Sequence, residues 1–252
     1  MNNKAIKIAS FVIEMLFSVV FLILSIMFIV ASIHNIKMTE EIKNFIDSAR
    51  FEYQSGDNYY YVVESDKIEE ETINTTVSNN PILGNTGDIF LMPQSRMDYV
   101  PLFAEFVSYL FGGHAGVVID DGLYLVEAMG GSPGENFVYE QSSDLYTEER
   151  TVIGMRVDAT LAEREQAALN AQNLVDQLYN YFFIFNTKNS YYCTDLCSRV
   201  YGKEFGMNYV KDTNGFHVSL QDLFRSKDTY ITFVKYKVDG KTYIYYLKNS
   251  NL

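Results

Sequence analysis

Two cysteines and three histidines are the rarest reactive side chains in this 252-residue chain, and their spacing is informative. Cys193 lies in Asn189-Ser-Tyr-Tyr-Cys-Thr-Asp-Leu-Cys-Ser-Arg-Val-Tyr-Gly202, a stretch that reads as the opening of a helix. Asn189 or Ser190 can cap the first N–H groups, Asp195 falls in the first turn, and Gly202 offers a stop. Leu196 and Val200, four apart, lie on one apolar stripe. A thiol at a helix N-terminus meets unpaired N–H groups and a positive dipole end, and both favour the thiolate. Such a nucleophile needs a base, and the candidates are His34, His114 and His217. His114 stands in Phe111-Gly-Gly-His-Ala-Gly-Val-Val-Ile-Asp120, where glycines give way to a β-branched run, so its imidazole sits at a strand's starting edge. A lone cysteine is more often core, and a lone histidine more often structural. A helix-start cysteine together with a strand-start histidine is a rarer conjunction, and we read it as a nucleophile and base for acyl transfer. His217 is the substitute base, expected farther from the sulfur than His114.

The elements that must position this pair follow from the local pattern. Ala115–Ile119 and Leu123–Ala128 read as strands flanking Asp120-Asp-Gly122, a hairpin signal. If Asp121-Gly122 is a two-residue turn, Gly116 pairs with Glu127. Glu127 then shares a sheet face with His114, on a diagonal of roughly 7–8 Å between Cα atoms. A carboxylate there can orient the ring and stabilise its charged form. A three-residue turn instead sends Glu127 to the opposite face as an ordinary exposed strand residue. Sequence leaves both open. Cys197 lies one helical turn after Cys193, where a disulfide would strain helix and bridge alike, and it reads as buried core. Two thiols and scattered histidines are too few for a zinc site, and no cofactor is implied.

The order Gly87-Asp-Ile-Phe90, Gly113-His-Ala-Gly116, Tyr192-Cys-Thr-Asp-Leu196 resembles the circularly permuted branch of the NlpC-type papain-like cysteine hydrolases. Within it the YiiX/YebB-like proteins are most similar, and the lecithin:retinol acyltransferase group is a more distant likeness. The resemblance spans roughly Pro81 to Phe224. It implies an α+β fold with a central antiparallel sheet, in which the histidine strand precedes the cysteine helix. It also implies Cys193 as nucleophile, His114 as base and a polar residue on the following strand, the position of Glu127. The implied substrate is an amide in peptidoglycan stem peptides, and the lipid-acting relatives leave an acyl ester or acyl amide open. Cys-Thr-Asp-Leu stands where relatives often read Cys-Ser-Glu-Leu, and the segment ahead of the domain is unusually long.

Charge and hydropathy set the surroundings. The net charge of −12 is uneven: residues 1–33 carry Lys4, Lys7 and Glu14, a balance of +1, leaving −13 for the remainder. Such a body repels nucleic acid and anionic lipid surfaces. Met15 to Ile33 is an uncharged run long enough to span a ~30 Å hydrocarbon core. The lysines ahead of it place the N-terminus in the cytoplasm and the rest outside as a single-pass protein. A cleaved signal peptide is the competing reading, since Val30-Ala-Ser32 has small residues; the apolar run exceeds the usual signal core, which favours an uncleaved anchor.

The organisation that follows is an anchor over 1–35, a stalk and linker over 36–80, and a catalytic domain over 81–252. Residues 38–54 have helical spacing, and Tyr59–Val63 reads as a strand. Glu64–Glu71 and Asn74–Asn80 read as a solvated linker. Further on come a strand over Asp88–Leu91 and an aromatic helix or wall over Pro101–Phe111. Gly130–Glu149 reads as a long loop, and Ile153–Val157 as a strand. The capping box Thr160-Leu-Ala-Glu163 opens a helix whose apolar face runs from Ala167 through Leu178 to Phe182. A short helix near His217–Phe224 precedes a tyrosine-rich hairpin around Asp239-Gly240. The expected function is a membrane-anchored cysteine hydrolase; a catalytically idle domain that binds wall or lipid fragments is the alternative of another class.

Overall fold

The computed structural model describes residues 3–68, 73–74, 82–93, 113–131, 136–143, 151–183, 187–210 and 217–249. The aromatic stretch Pro101–Phe111 and the polar run 75–80 lie outside the described residues.

The chain begins with one unbroken helix, α1 (Asn3–Asp47), apolar and long enough to cross a membrane. Its serines need no outside partner. The hydroxyls of Ser18, Ser25 and Ser32 donate to the carbonyls of Glu14, Phe21 and Phe28 at 2.8–2.9 Å. Each thereby satisfies its polar group inside the helix, which hydrocarbon requires. The final turns change character. Met38 is buried, and Ile42, Phe45 and Ile46 pack with it against the main core at helical spacing.

A mixed α+β body follows, built on an eleven-stranded sheet. Its strands are β1 (Arg50–Ser55), β2 (Asn58–Ser65), β5 (Ile89–Met92), β6 (His114–Ile119), β7 (Tyr124–Met129), β8 (Phe137–Ser142), β9 (Thr151–Val157), β10 (Leu178–Tyr179), β11 (Ser190–Tyr191), β12 (Thr229–Val238) and β13 (Lys241–Asn249). Across the sheet they run β1-β2-β13-β12-β9-β5-β6-β7-β8-β10-β11. A separate two-stranded ribbon joins β3 (Ile73–Asn74) to β4 (Ile82–Leu83). Pairing is antiparallel except for β2 with β13 and β10 with β11. The other α-helices among the described residues are α2 (Leu161–Gln172), α3 (Cys193–Val200) and α4 (Leu220–Phe224). The main core joins Val117, Ile119 and Val126 of the sheet to Ala167, Ala171, Leu196, Val200 and Leu223 of these helices.

Several local signals appear where the sequence put them. Thr160 and Glu163 cap α2 reciprocally, as expected; Ser219 and Asp222 form a second such box on α4 that was not among the expectations. Asp239 and Gly240, both with positive φ, close a two-residue turn between Val238 and Lys241.

Other expectations change. Residues 50–65 are not a stalk: they form β1 and β2, and β2 pairs with β13 over eight residues, from Asn58↔Thr242 to Ser65↔Asn249. The tyrosine alternation there pays off only against the tyrosines of the distant C-terminal hairpin, as in the stack of Tyr61 on Tyr245 at 4.7 Å. The stretch 130–149 is not all loop, because Phe137–Ser142 adds β8 beside β7. Helix α2 stops at Gln172, so Leu178 and Phe182 are not on its face. Asp176 adopts φ 71°, and the chain turns into β10 instead.

Candidate active site

The site is assembled where the start of β6 meets the start of α3. His114 is the first residue of β6, with its side chain 12% exposed. Gly113 before it has φ +88°, and a Cβ there would fall 2.6 Å from Leu220 Cδ1 of α4, so a side chain could not be added. Cys193 is the first residue of α3 and is partly accessible, whereas Cys197 one turn on is fully buried.

The helix start is not capped as its sequence suggests. The capping position is Tyr192, with extended backbone and no side-chain hydrogen bond to the helix start; Asn189 has φ 61°, and Ser190 belongs to β11. The first N–H groups of α3 therefore carry no side-chain cap, which leaves them able to meet a negative charge at the Cys193 position. Tyr192 and Thr194 on either side of the cysteine are tied to one residue: Val218 N–H donates to the Tyr192 hydroxyl at 2.8 Å, and Thr194 Oγ1 donates to the Val218 carbonyl at 2.6 Å. At the other end Arg199 grips Glu204 at 2.7 Å, approaches Asp195 at 3.4 Å and lies 4.0 Å over the Tyr191 ring. Burial pushes the Asp195 carboxyl up to about 6 against the pull of Arg199.

Glu127 stands where the two-residue-turn register put it, with Gly116 opposite Glu127. The turn itself differs. The last pair is Ile119↔Tyr124, so four residues, Asp120–Leu123, make the connection, with Asp120, Asp121 and Gly122 at positive φ. A loop of four keeps the same facing parity as a loop of two, and Glu127 stays on the His114 side. Glu127 is fully buried and hydrogen-bonds His114 Nε2 through Oε2. Its other oxygen accepts from Gln141 Nε2 of β8. His114 is also hydrogen-bonded to the Cys193 side chain.

The electrostatics follow from this chain of contacts. Burial alone would depress the His114 pKa, but Glu127 and then Cys193 outweigh it, and the imidazole is pushed up to about 10. The ring is therefore held in its charged form at neutral pH. Cys197 is the opposite case: burial, reinforced by the charge of Cys193, pushes its thiol well up and keeps it neutral. Tyr179 also borders the site, its hydroxyl pushed up by burial and by the neighbouring Cys193.

Three residues singled out from sequence, Cys193, His114 and Glu127, thus meet in one cluster. His34 lies on α1, and His217 lies next to Val218, the residue that braces the helix start. Gln141 and Tyr179 were missed. The signal for Gln141 was weak but present, since Phe137-Val-Tyr139 are strong strand formers inside a stretch read as loop. Tyr179 had none, because its position depends on the turn after α2.

In comparisons with known proteins, no protein-family model, no curated protein and no solved structure matches this chain.

Proposed function

We propose that this chain is a membrane-anchored, extracytoplasmic cysteine hydrolase with a permuted papain-like domain, acting on an amide of peptidoglycan stem peptides. One observation carries the chemistry: His114 is hydrogen-bonded on one side to a helix-start cysteine and on the other to a buried carboxylate fixed by Gln141. In this reading Cys193 sulfur, its proton given to His114, attacks the carbonyl carbon. The oxyanion is met by the Cys193 backbone N–H. The tetrahedral adduct collapses, the C–N bond breaks, and His114 protonates the departing amine. Water, deprotonated by His114, then attacks the thioester and returns free acid and thiol. Glu127 keeps the ring oriented and stabilises its charged form at each stage where His114 holds the proton.

A second reading, hydrolysis or transfer of an acyl chain from a lipid, is favoured by the apolar and aromatic surroundings of Tyr179. A domain that only binds such fragments is the third. The full chain should be offered stem peptides and acyl lipids in parallel, as wild type and as Cys193→Ala, with the acyl-enzyme trapped and weighed by mass spectrometry. A Cys193 adduct with peptides alone supports the wall hydrolase, and one with lipids alone supports the second reading. Binding that survives Cys193→Ala with no wild-type turnover supports the third. Protease added to intact cells should digest residues 36–252; protection of that region would overturn the orientation.

A further inference from the structure

The exit of α1 and the candidate site lie at the same end of the molecule. Asn35, two residues beyond the apolar run, accepts a hydrogen bond from Gln221 Nε2 of α4 at 2.6 Å. Leu220, the neighbour of Gln221, packs on Gly113, and Gly113 precedes His114. Two side-chain contacts therefore separate the membrane end of α1 from the first residue of β6.

A second apolar feature rises from that end. Phe137, opposite Met129, starts β8, and Leu178 of β10 pairs with Phe137 in the antiparallel sense. Beyond this pair the chain leaves the sheet as Asn180-Tyr-Phe-Phe183. Leu178, Tyr181 and Phe182 are 67%, 53% and 70% exposed. The segment is nonetheless firmly built: Gly131 N–H donates to the Tyr181 hydroxyl at 3.1 Å, and Phe182 N–H donates to the buried Asn180 Oδ1 at 3.0 Å. Phe183 packs on Tyr179 and on Tyr192, which adjoins Cys193. Nearer α1, the amphipathic rings of Tyr59, Tyr243 and Tyr236 stack at 5.2–5.3 Å at the same end of their strands.

We propose that the ridge of Leu178, Tyr181 and Phe182 is a second membrane contact, seated in the interface of the bilayer that α1 enters. Rigidly held, exposed large apolar side chains beside an anchor have one surface within constant reach, and aromatic rings favour the headgroup level of that surface. The acidic body makes attraction to anionic lipid unfavourable, so the contact is apolar in origin. Its consequence is that the partly accessible Cys193 is approached along the membrane surface rather than from away from it.

The chain has no tryptophan, which makes the test direct. Phe182→Trp, Tyr124→Trp and Phe21→Trp each introduce a single reporter into the full chain, reconstituted in vesicles of brominated phosphatidylcholine. Tyr124 is exposed at the opposite end of the sheet, where it pairs with Ile119 and Ser142. Phe21 lies within the apolar run of α1. Expected is a loss of emission for Phe21→Trp with bromines deep in the acyl chains, for Phe182→Trp with bromines near the headgroup, and none for Tyr124→Trp. Leu178→Trp should repeat the Phe182→Trp result and stands in if that variant folds poorly. Ridge reporters quenched no more than Tyr124→Trp would overturn the proposal, as would quenching of Tyr124→Trp to the same degree. An unquenched Phe21→Trp would overturn it as well, by removing the bilayer from the anchor. None of these signals needs turnover, so they stand apart from the fate of the hydrolase reading.

Discussion

Among the described residues, two buried acid–base pairs stand at opposite ends of the central strands of the sheet, and they are built for different ends. At the far end Asp88 and Arg156 meet through two hydrogen bonds, 2.7 and 2.9 Å, with side chains 0% and 2% exposed. Asn85 completes the enclosure: its Oδ1 accepts from Arg156 at 2.6 Å, and its N–H donates to Asp88 at 3.0 Å. Gly87 adjoins them with φ +87° and the α2 backbone within 2.6 Å of any added Cβ, while Tyr201 donates to its carbonyl at 2.5 Å. Both Asp88 carboxylate oxygens and Arg156 Nε and Nη2 are spent on other protein groups. At the near end Glu127 is equally buried, but its cation is an imidazole, whose proton is transferable, and the ring also bonds a thiol with access to solvent. A guanidinium cannot be deprotonated, so the first pair can only hold structure. The second can move a proton. Burial of charge is common to both; a titratable cation facing a partly open thiol is what sets the near end apart.

The largest expected effect is on chemistry alone. Cys193→Ala should lower turnover of the true substrate by about 10⁴-fold or more, with the unfolding midpoint little changed. Retained turnover would break the distinction outright. The far pair should respond in reverse. Asp88→Ala strands the Arg156 charge in the core and should cost about 3–5 kcal/mol in urea unfolding. A variant that folds as tightly as wild type would show that the pair is not structural.

Glu127→Gln keeps the shape and removes the charge that holds the His114 proton, and should lower turnover by about 10²-fold. It also has a pH signature. A histidine raised from 6.5 to about 10 contributes stability that is complete below pH 6.5 and is lost as pH rises through about 10. In Glu127→Gln the folded-state pKa stands less far above 6.5, so this loss should be smaller, visible as urea midpoints of the two proteins that draw together between pH 6.5 and 10. Identical pH profiles would mean that Glu127 does not govern the ring. The smallest effect belongs to Gln141→Leu, which deletes one donor to Glu127. Turnover should fall about fivefold, near 1 kcal/mol, while slow alkylation of Cys197 stays as it was. A loss as large as that of Glu127→Gln would move Gln141 from support to a principal part.

The cysteine helix, the histidine strand and the Thr160–Glu163 capping box were legible in the chain itself, and the Gly116–Glu127 register was one of two it allowed. Each depends on residues within a turn or one hairpin, where backbone geometry leaves few choices. The apolar run of α1 was legible for the same reason, since spanning length is a local property. What neighbours at long range decide was not. The strand at Tyr59–Val63 reads as part of a stalk until the C-terminal hairpin supplies a parallel partner with matching tyrosines, and Phe137–Ser142 reads as loop until β7 lies beside it. Gln141 acquires a role only once β8 brings it to Glu127, fourteen residues away in sequence. Sequence alone supplied the reactive types and their local elements. The tertiary structure decided which end of the sheet is sealed and which is open, because pairing between distant segments is set by packing and closure rather than by local preference.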